Sequence, residues 1–120
     1  MDDIHIFLVE SFDRRYNDIM DNGKIFIQIA SYRDPELIPT IKECLKHASD
    51  PNRLVFGICR QYEESDGFDK LDEWQNDDRF RVIDVPYKEA KGVCWARNQV
   101  QTLYDGEEYT LQLDSHHRFV

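Results

Sequence analysis

Residues 24–30 read KIFIQIA. This short β-branched and aromatic run follows the turn pair Asn22-Gly23 and predicts a buried-type strand. Asp34-Pro35 then reads as an N-cap and first helical position. Leu37, Ile41, Leu45 and Ala48 follow at helical spacing, which predicts a helix near 35–48 with one apolar stripe. Pro39 removes a backbone donor near the first turn, so the regular helix is expected to begin only around it. Asp50-Pro51-Asn52 ends the element.

The same alternation continues outward. Residues 53–59 (RLVFGIC), 80–85 (FRVIDV, stopped by Pro86) and 109–113 (YTLQL) read as three more strands. Gly92 to Tyr104 reads as a helix with Val93, Ala96, Val100 and Leu103 inward, closed by Asp105-Gly106. Residues 61–78 are strongly acidic. Phe68, Leu71 and Trp74 lie three apart there and predict a short helix whose carboxylates form a solvated face. Strands alternating with helices imply βαβ units, so the expected class is α/β with a mostly parallel sheet and flanking helices. In residues 1–23, Ile4, Ile6 and Leu8 alternate while Phe12, Tyr16 and Ile19 share a helical face. That lead segment is left without an assignment.

A chain of 120 residues holds one small domain. With 24 acidic and 15 basic residues its net charge is −9, which disfavours nucleic acid as a partner. A phosphate ligand would need a local basic pocket and a metal. No apolar run approaches the about 20 residues of a membrane span, so no membrane partner is expected. Ile6–Val9 is too short for a secretory segment and follows acidic residues. Cys44, Cys59 and Cys94 are widely spaced without a CxxC. They read as reduced thiols of a cytoplasmic protein, with no nucleophile or zinc context.

In open α/β sheets a ligand sits beyond the carboxyl ends of the strands. Polar residues gather there at Ser31–Asp34, Arg60-Gln61, Pro86–Gly92 and Asp114–Arg118. Asp114-Ser115-His116 directly follows the fourth strand. Residues two apart in an extended segment face one side, so Asp114 and His116 can converge on one divalent cation such as Mn²⁺. Such a metal stabilises a diphosphate leaving group. A capped strand end with exposed histidines is the plainer reading of the bare tripeptide; His117 would project to the other side. Lys88, Lys91 and Arg97 surround the helix start at Gly92, where helix N–H groups attract phosphate. Arg97 reads equally as a forked diphosphate contact or as a water-facing side chain paired with acids. Ser31, Tyr32 and Arg33 can hold a base and ribose, or cap the following helix.

Three blocks, IFIQIASYRDPEL, LVFGICRQ and RVIDVPYKEAKGVCWARNQVQTLYDGEEYTLQLDSHHRF, together resemble one known family. It is the GlcNAc-transferase family that includes the Skp1 hydroxyproline N-acetylglucosaminyltransferases, glycosyltransferase family 60. The resemblance covers residues 24–119. It implies a GT-A (Rossmann-like) fold and a retaining, metal-dependent transfer of GlcNAc from UDP-GlcNAc, or of another UDP-sugar, to a protein hydroxyl. It also implies that Asp114 and His116 form the D-x-D-like metal motif, in D-S-H form. Ser31, Tyr32 and Arg33 would then bind the nucleotide, with Lys91 and Arg97 near the donor diphosphate.

Enzymes of that kind are more than twice this length. Residues 24–120 therefore match the nucleotide-sugar-binding half, and the acceptor half and the catalytic groups are expected downstream. Such a half would leave a sheet face uncovered, self-associate and transfer nothing alone. Two other readings stand beside this one: a non-catalytic nucleotide-sugar-binding or interaction domain, and a receiver-like signalling domain. Ala30-Ser31-Tyr32 sits where a receiver needs its acidic cluster.

Overall fold

The computed structural model describes residues 23–114. The lead segment up to residue 22 and residues 115–120, His116 among them, lie outside the described residues. Four strands form one sheet: β1 (Ile25–Tyr32), β2 (Leu54–Tyr62), β3 (Phe80–Pro86) and β4 (Tyr109–Asp114). Two helices flank it, α1 (Leu37–His47) and α2 (Val93–Gln101). The strand order is β3-β2-β1-β4 and every pairing is parallel. This is the expected α/β class, in a Rossmann-like arrangement.

The sheet forms because β1 and β2 can be buried on both faces. Ile25, Ile27, Ile29, Leu54, Phe56 and Ile58 pack with Leu37, Ile41 and Cys44 of α1. Phe26, Val55 and Cys59 pack on the other face with Ala96 and Val100 of α2. Near-continuous apolar runs are what doubly covered parallel strands require. β3, at one edge, alternates half-buried and exposed residues. Over β4 the α2 side is polar, with Thr110 and Gln112 exposed.

Several expected boundaries shift for local reasons. Strands β1 and β2 run on through Tyr32 and Tyr62, so Ser31, Tyr32, Arg60 and Gln61 are strand residues and not loop residues. α1 begins at Leu37, ahead of Pro39. The first helical N–H groups have no intrahelical partner, so proline at the third position removes nothing. Asp34 starts a turn instead of capping the helix: its Oδ1 accepts from the Glu36 N–H at 2.8 Å. The helix expected within 61–78 is absent. Gly67 takes φ +75°, and only Asp72–Trp74 makes a single 3₁₀ turn. Trp74 is drawn inward by stacking on Phe80, which itself stacks on Phe56.

Nor is that segment a uniformly solvated face. Asp69 is buried with one oxygen 3.4 Å from Arg60 Nη1, and burial still pushes its carboxyl up. Val93 was expected inward, yet it is 55% exposed because α2 turns only Ala96 and Val100 fully onto the sheet.

Two contacts set the sheet's geometry. A Cβ on Gly57 would overlap Phe26 Cζ and lie 2.6 Å from Cε1, so the ring fits only over a glycine. On the same face, Arg81 of β3 reaches across to Glu107, just before β4, with both fork distances at 3.1 Å. Arg81 also donates to the Leu103 carbonyl at 2.8 Å. The pair ties the two edge strands together. Burial pushes the Glu107 carboxyl up, but the Arg81 fork and the Asp105 N–H more than offset it and hold it below the usual carboxylate range.

Two outcomes are expected. Gly57→Ala should lower urea-unfolding stability by about 2 kcal/mol through overpacking, and a midpoint equal to wild type would refute the fit. A lowered carboxyl pKa adds stability that is present at neutral pH and lost as pH falls through the folded-state value. Glu107→Gln should therefore lose about 2 kcal/mol at neutral pH and fall less steeply than wild type between about pH 5 and 3. Parallel pH curves for the two chains would contradict this.

Candidate functional site

The strand order creates the cleft. From β1 the chain moves through α1 to β2 and on to β3, then returns through α2 to β4 on the far side of β1. The order reverses between β1 and β4, and at such a point the loops diverge and open a crevice beyond the strand ends. A cleft of about 430 Å³ lies there. Its walls come from Ala30 and Tyr32 of β1, Gln61 of β2, Tyr87 after β3, Leu113 of β4, and Ala90, Gly92, Val93 and Arg97 at the start of α2. Aromatic and aliphatic walls with a few convergent polar groups suit a small organic ligand.

α2 presents its amino end to this cleft. Gly92 precedes the helix at φ +99°, a conformation that favours glycine, and it carries no side-chain cap. The first helical N–H groups therefore keep their positive ends available to an anion. Arg97, one turn on, is exposed and faces the cleft.

The other described arginines are occupied. Arg33 pairs with Asp66, Arg53 with Asp50, Arg60 with Asp84 and Asp69, Arg79 with Asp77, and Arg81 with Glu107. Among the described residues Arg97 has no carboxylate partner. Lys91 is exposed in the loop immediately before Gly92.

The Ser31-Tyr32-Arg33 group is divided. Successive strand residues face opposite sides, so Tyr32 opens onto the cleft while Ser31 continues the row of Ile25, Ile27 and Ile29 on the α1 face. The Ser31 hydroxyl is fully buried with no hydrogen-bond partner among the described residues. Arg33 donates Nε and Nη2 to the two oxygens of Asp66 at 2.8 and 2.9 Å. Its guanidinium holds the Asp66 carboxyl below the usual range. Gln61 was noted in the sequence only as a polar strand end; it is buried, and its amide donates to the Ser31 carbonyl at 2.9 Å. Tyr87 directly follows the proline-stopped strand and falls within the Pro86–Gly92 group, but nothing in the sequence singles it out.

Asp114 closes β4 in register with Ala30, a residue of the cleft. Its intended partner His116 lies outside the described residues. Among the described residues no three His, Cys, Asp or Glu side chains gather as a metal-binding group. Burial pushes the Cys44 thiol up to about 12 and the Cys59 thiol up as well, so neither is a nucleophile. No helix among the described residues is long and apolar enough to cross a membrane.

A parallel α/β sheet with an anion-ready helix start at its order reversal is the frame of a Rossmann-like ligand-binding protein. The chain matches the model of the Glycosyltransferase (GlcNAc) family in two overlapping segments, residues 24–75 and 64–120. It belongs to that family of glycosyltransferases. No curated protein and no solved structure matches it.

The division of Ser31 from Tyr32 has a measurable outcome. Ser31→Ala removes an unpaired buried hydroxyl, so it should leave stability unchanged or raise it by up to about 1 kcal/mol. A loss above that size in chemical denaturation would mean that the hydroxyl has a partner.

Proposed function

We propose that residues 24–120 bind the donor of a metal-dependent glycosyltransferase, taking GlcNAc from UDP-GlcNAc, or another UDP-sugar, to a protein hydroxyl. The observation that carries this reading is Arg97: the described arginine without a carboxylate partner sits on the cleft beside the open start of α2. In a chain of net charge −9 an anionic ligand needs such a local cation. Tyr32 and Val93 offer the apolar surface for a ring. Lys91 adds charge at the helix start.

Asp114 ends the strand beside Ala30, and an Asp–His pair is a donor set suited to Mn²⁺. Asp114 with His116 would hold that ion, which when bound neutralises the diphosphate and stabilises it as a leaving group. The chain's own groups then bind and orient. The α2 N–H groups and the Arg97 fork hold the diphosphate oxygens, and the cleft walls exclude water from them. Unpaired cysteines, two of them buried, suit a cytoplasmic setting. Relatedness to glycosyltransferase family 60, and the boundary at residue 24, belong to this same proposal.

Calorimetric titration of the full chain with UDP, with and without Mn²⁺, tests it. Arg97→Ala should weaken binding about tenfold, the scale of one lost charge-assisted contact. Asp114→Ala should abolish the Mn²⁺ dependence, while Asp72→Ala in the acidic segment should change nothing. Equal UDP binding in EDTA would remove the metal from the reading. Binding of UDP-GlcNAc without transfer to any acceptor would favour a non-catalytic nucleotide-sugar-binding role.

A further inference from the structure

Arg33 holds a backbone conformation that few non-glycine residues adopt, with φ at +44°. Its N–H donates to the Gln61 carbonyl at 2.8 Å. One edge of its guanidinium is taken up by the fork to Asp66. The carbon of that guanidinium lies 4.8 Å from the centre of the Tyr87 ring. Tyr87 in turn meets Tyr32 edge to face, with centroids 6.3 Å apart and ring planes at 84°. Both tyrosines line the cleft. The segments that leave β1, β2 and β3 thus converge on one side chain. A forked ion pair and a cation–π contact are both directional. A left-handed arginine persists only where its surroundings fix it.

We propose that Arg33 is a positioning residue: through its fork to Asp66 and its contact with Tyr87 it sets the two tyrosine rings that wall the cleft. Asp66 takes the Nε–Nη2 edge of Arg33 and offsets its charge, whereas Arg97 offers the cleft a cation with no carboxylate partner among the described residues. Asp66, remote in sequence and set in an acidic loop, becomes part of the binding apparatus by this route. The role of the rings in ligand affinity rests on reading the cleft as a nucleotide-sugar pocket; their placement by Arg33 does not.

The test uses the full chain with Arg33→Gly, Arg33→Lys, Asp66→Ala and the double variant Arg33→Gly/Asp66→Ala. Glycine accepts φ +44° freely, so Arg33→Gly removes the side chain without straining the backbone. The first readout is the ring carbon and proton shifts of Tyr32 and Tyr87 in ligand-free protein. Both rings should move in all three single variants, and the double variant should move them no further than Arg33→Gly. The second readout is UDP titration with Mn²⁺. Each single variant should weaken binding about tenfold, with the double variant equal to Arg33→Gly, as expected of two groups acting as one unit.

Unmoved rings in Arg33→Gly overturn the proposal whatever UDP does. Weaker UDP binding in Arg33→Gly with wild-type binding in Asp66→Ala also overturns it, because Arg33 would then touch the ligand itself. Full rescue by Arg33→Lys does the same, since lysine keeps the charge and loses the fork. If wild type fails to bind UDP while the rings move as expected, the nucleotide-sugar reading fails and the positioning role stands.

Discussion

The domain depends on β1 being hydrogen-bonded along both edges and buried on both faces. Its neighbours are β2 and β4, reached by chain segments that depart in opposite directions. Only a strand with both positions filled can sit at that reversal, and only the reversal opens the crevice. Burial on two faces leaves little room, which explains why Phe26 must lie over Gly57. The cleft floor is therefore the end of a strand paired on both edges and packed on both faces. The cleft walls are strand ends and the start of α2, and only the connection from β3 to α2, with Tyr87, Ala90 and Gly92, is free to vary in length.

Charge is organised around the same point. An acidic chain can hold an anion only where its own carboxylates do not reach the local cations. The arginines on β2 and β3, and those in the loops beside them, are matched to carboxylates nearby. Arg97 projects from α2 where no described carboxylate approaches it. The paired carboxylates thus tie down the outer framework, and among the described side chains none is matched to Arg97 at the cleft.

Much of the fold was legible because it rests on local periodicity. The four strands are short apolar runs between turn residues, and the stripe of Leu37, Ile41, Leu45 and Ala48 marks α1, although the structure buries Cys44 beside Leu37 and Ile41 and leaves Leu45 and Ala48 half-buried. Reading failed where a tertiary contact overrode a local pattern. Phe68, Leu71 and Trp74 imitate a helix edge, but Trp74 serves the aromatic stack with Phe80. Ser31 and Tyr32 look like one motif, yet strand alternation sends them to opposite faces. Arg33 was noticed, but Asp66 lies far along the chain and no spacing rule joins them. Tyr87 becomes meaningful only once β3 is placed. The position of Asp114 was legible from the end of YTLQL, and its register with Ala30 needed the sheet.

The pairing of β4 with β1 also bears on how the molecule comes together. Tyr109 must find Ile25, whereas β2 joins β1 after a single short crossover. Closing the longer loop has the larger entropic penalty, and such non-local pairings slow the search. During synthesis the first three strands emerge before β4, so among the described strands none pairs with that side of β1 until β4 is made. An unpaired apolar strand edge is a template for association with other chains. The geometry that creates a ligand cleft thus also delays the pairing of that edge of β1 until the fourth strand has been made.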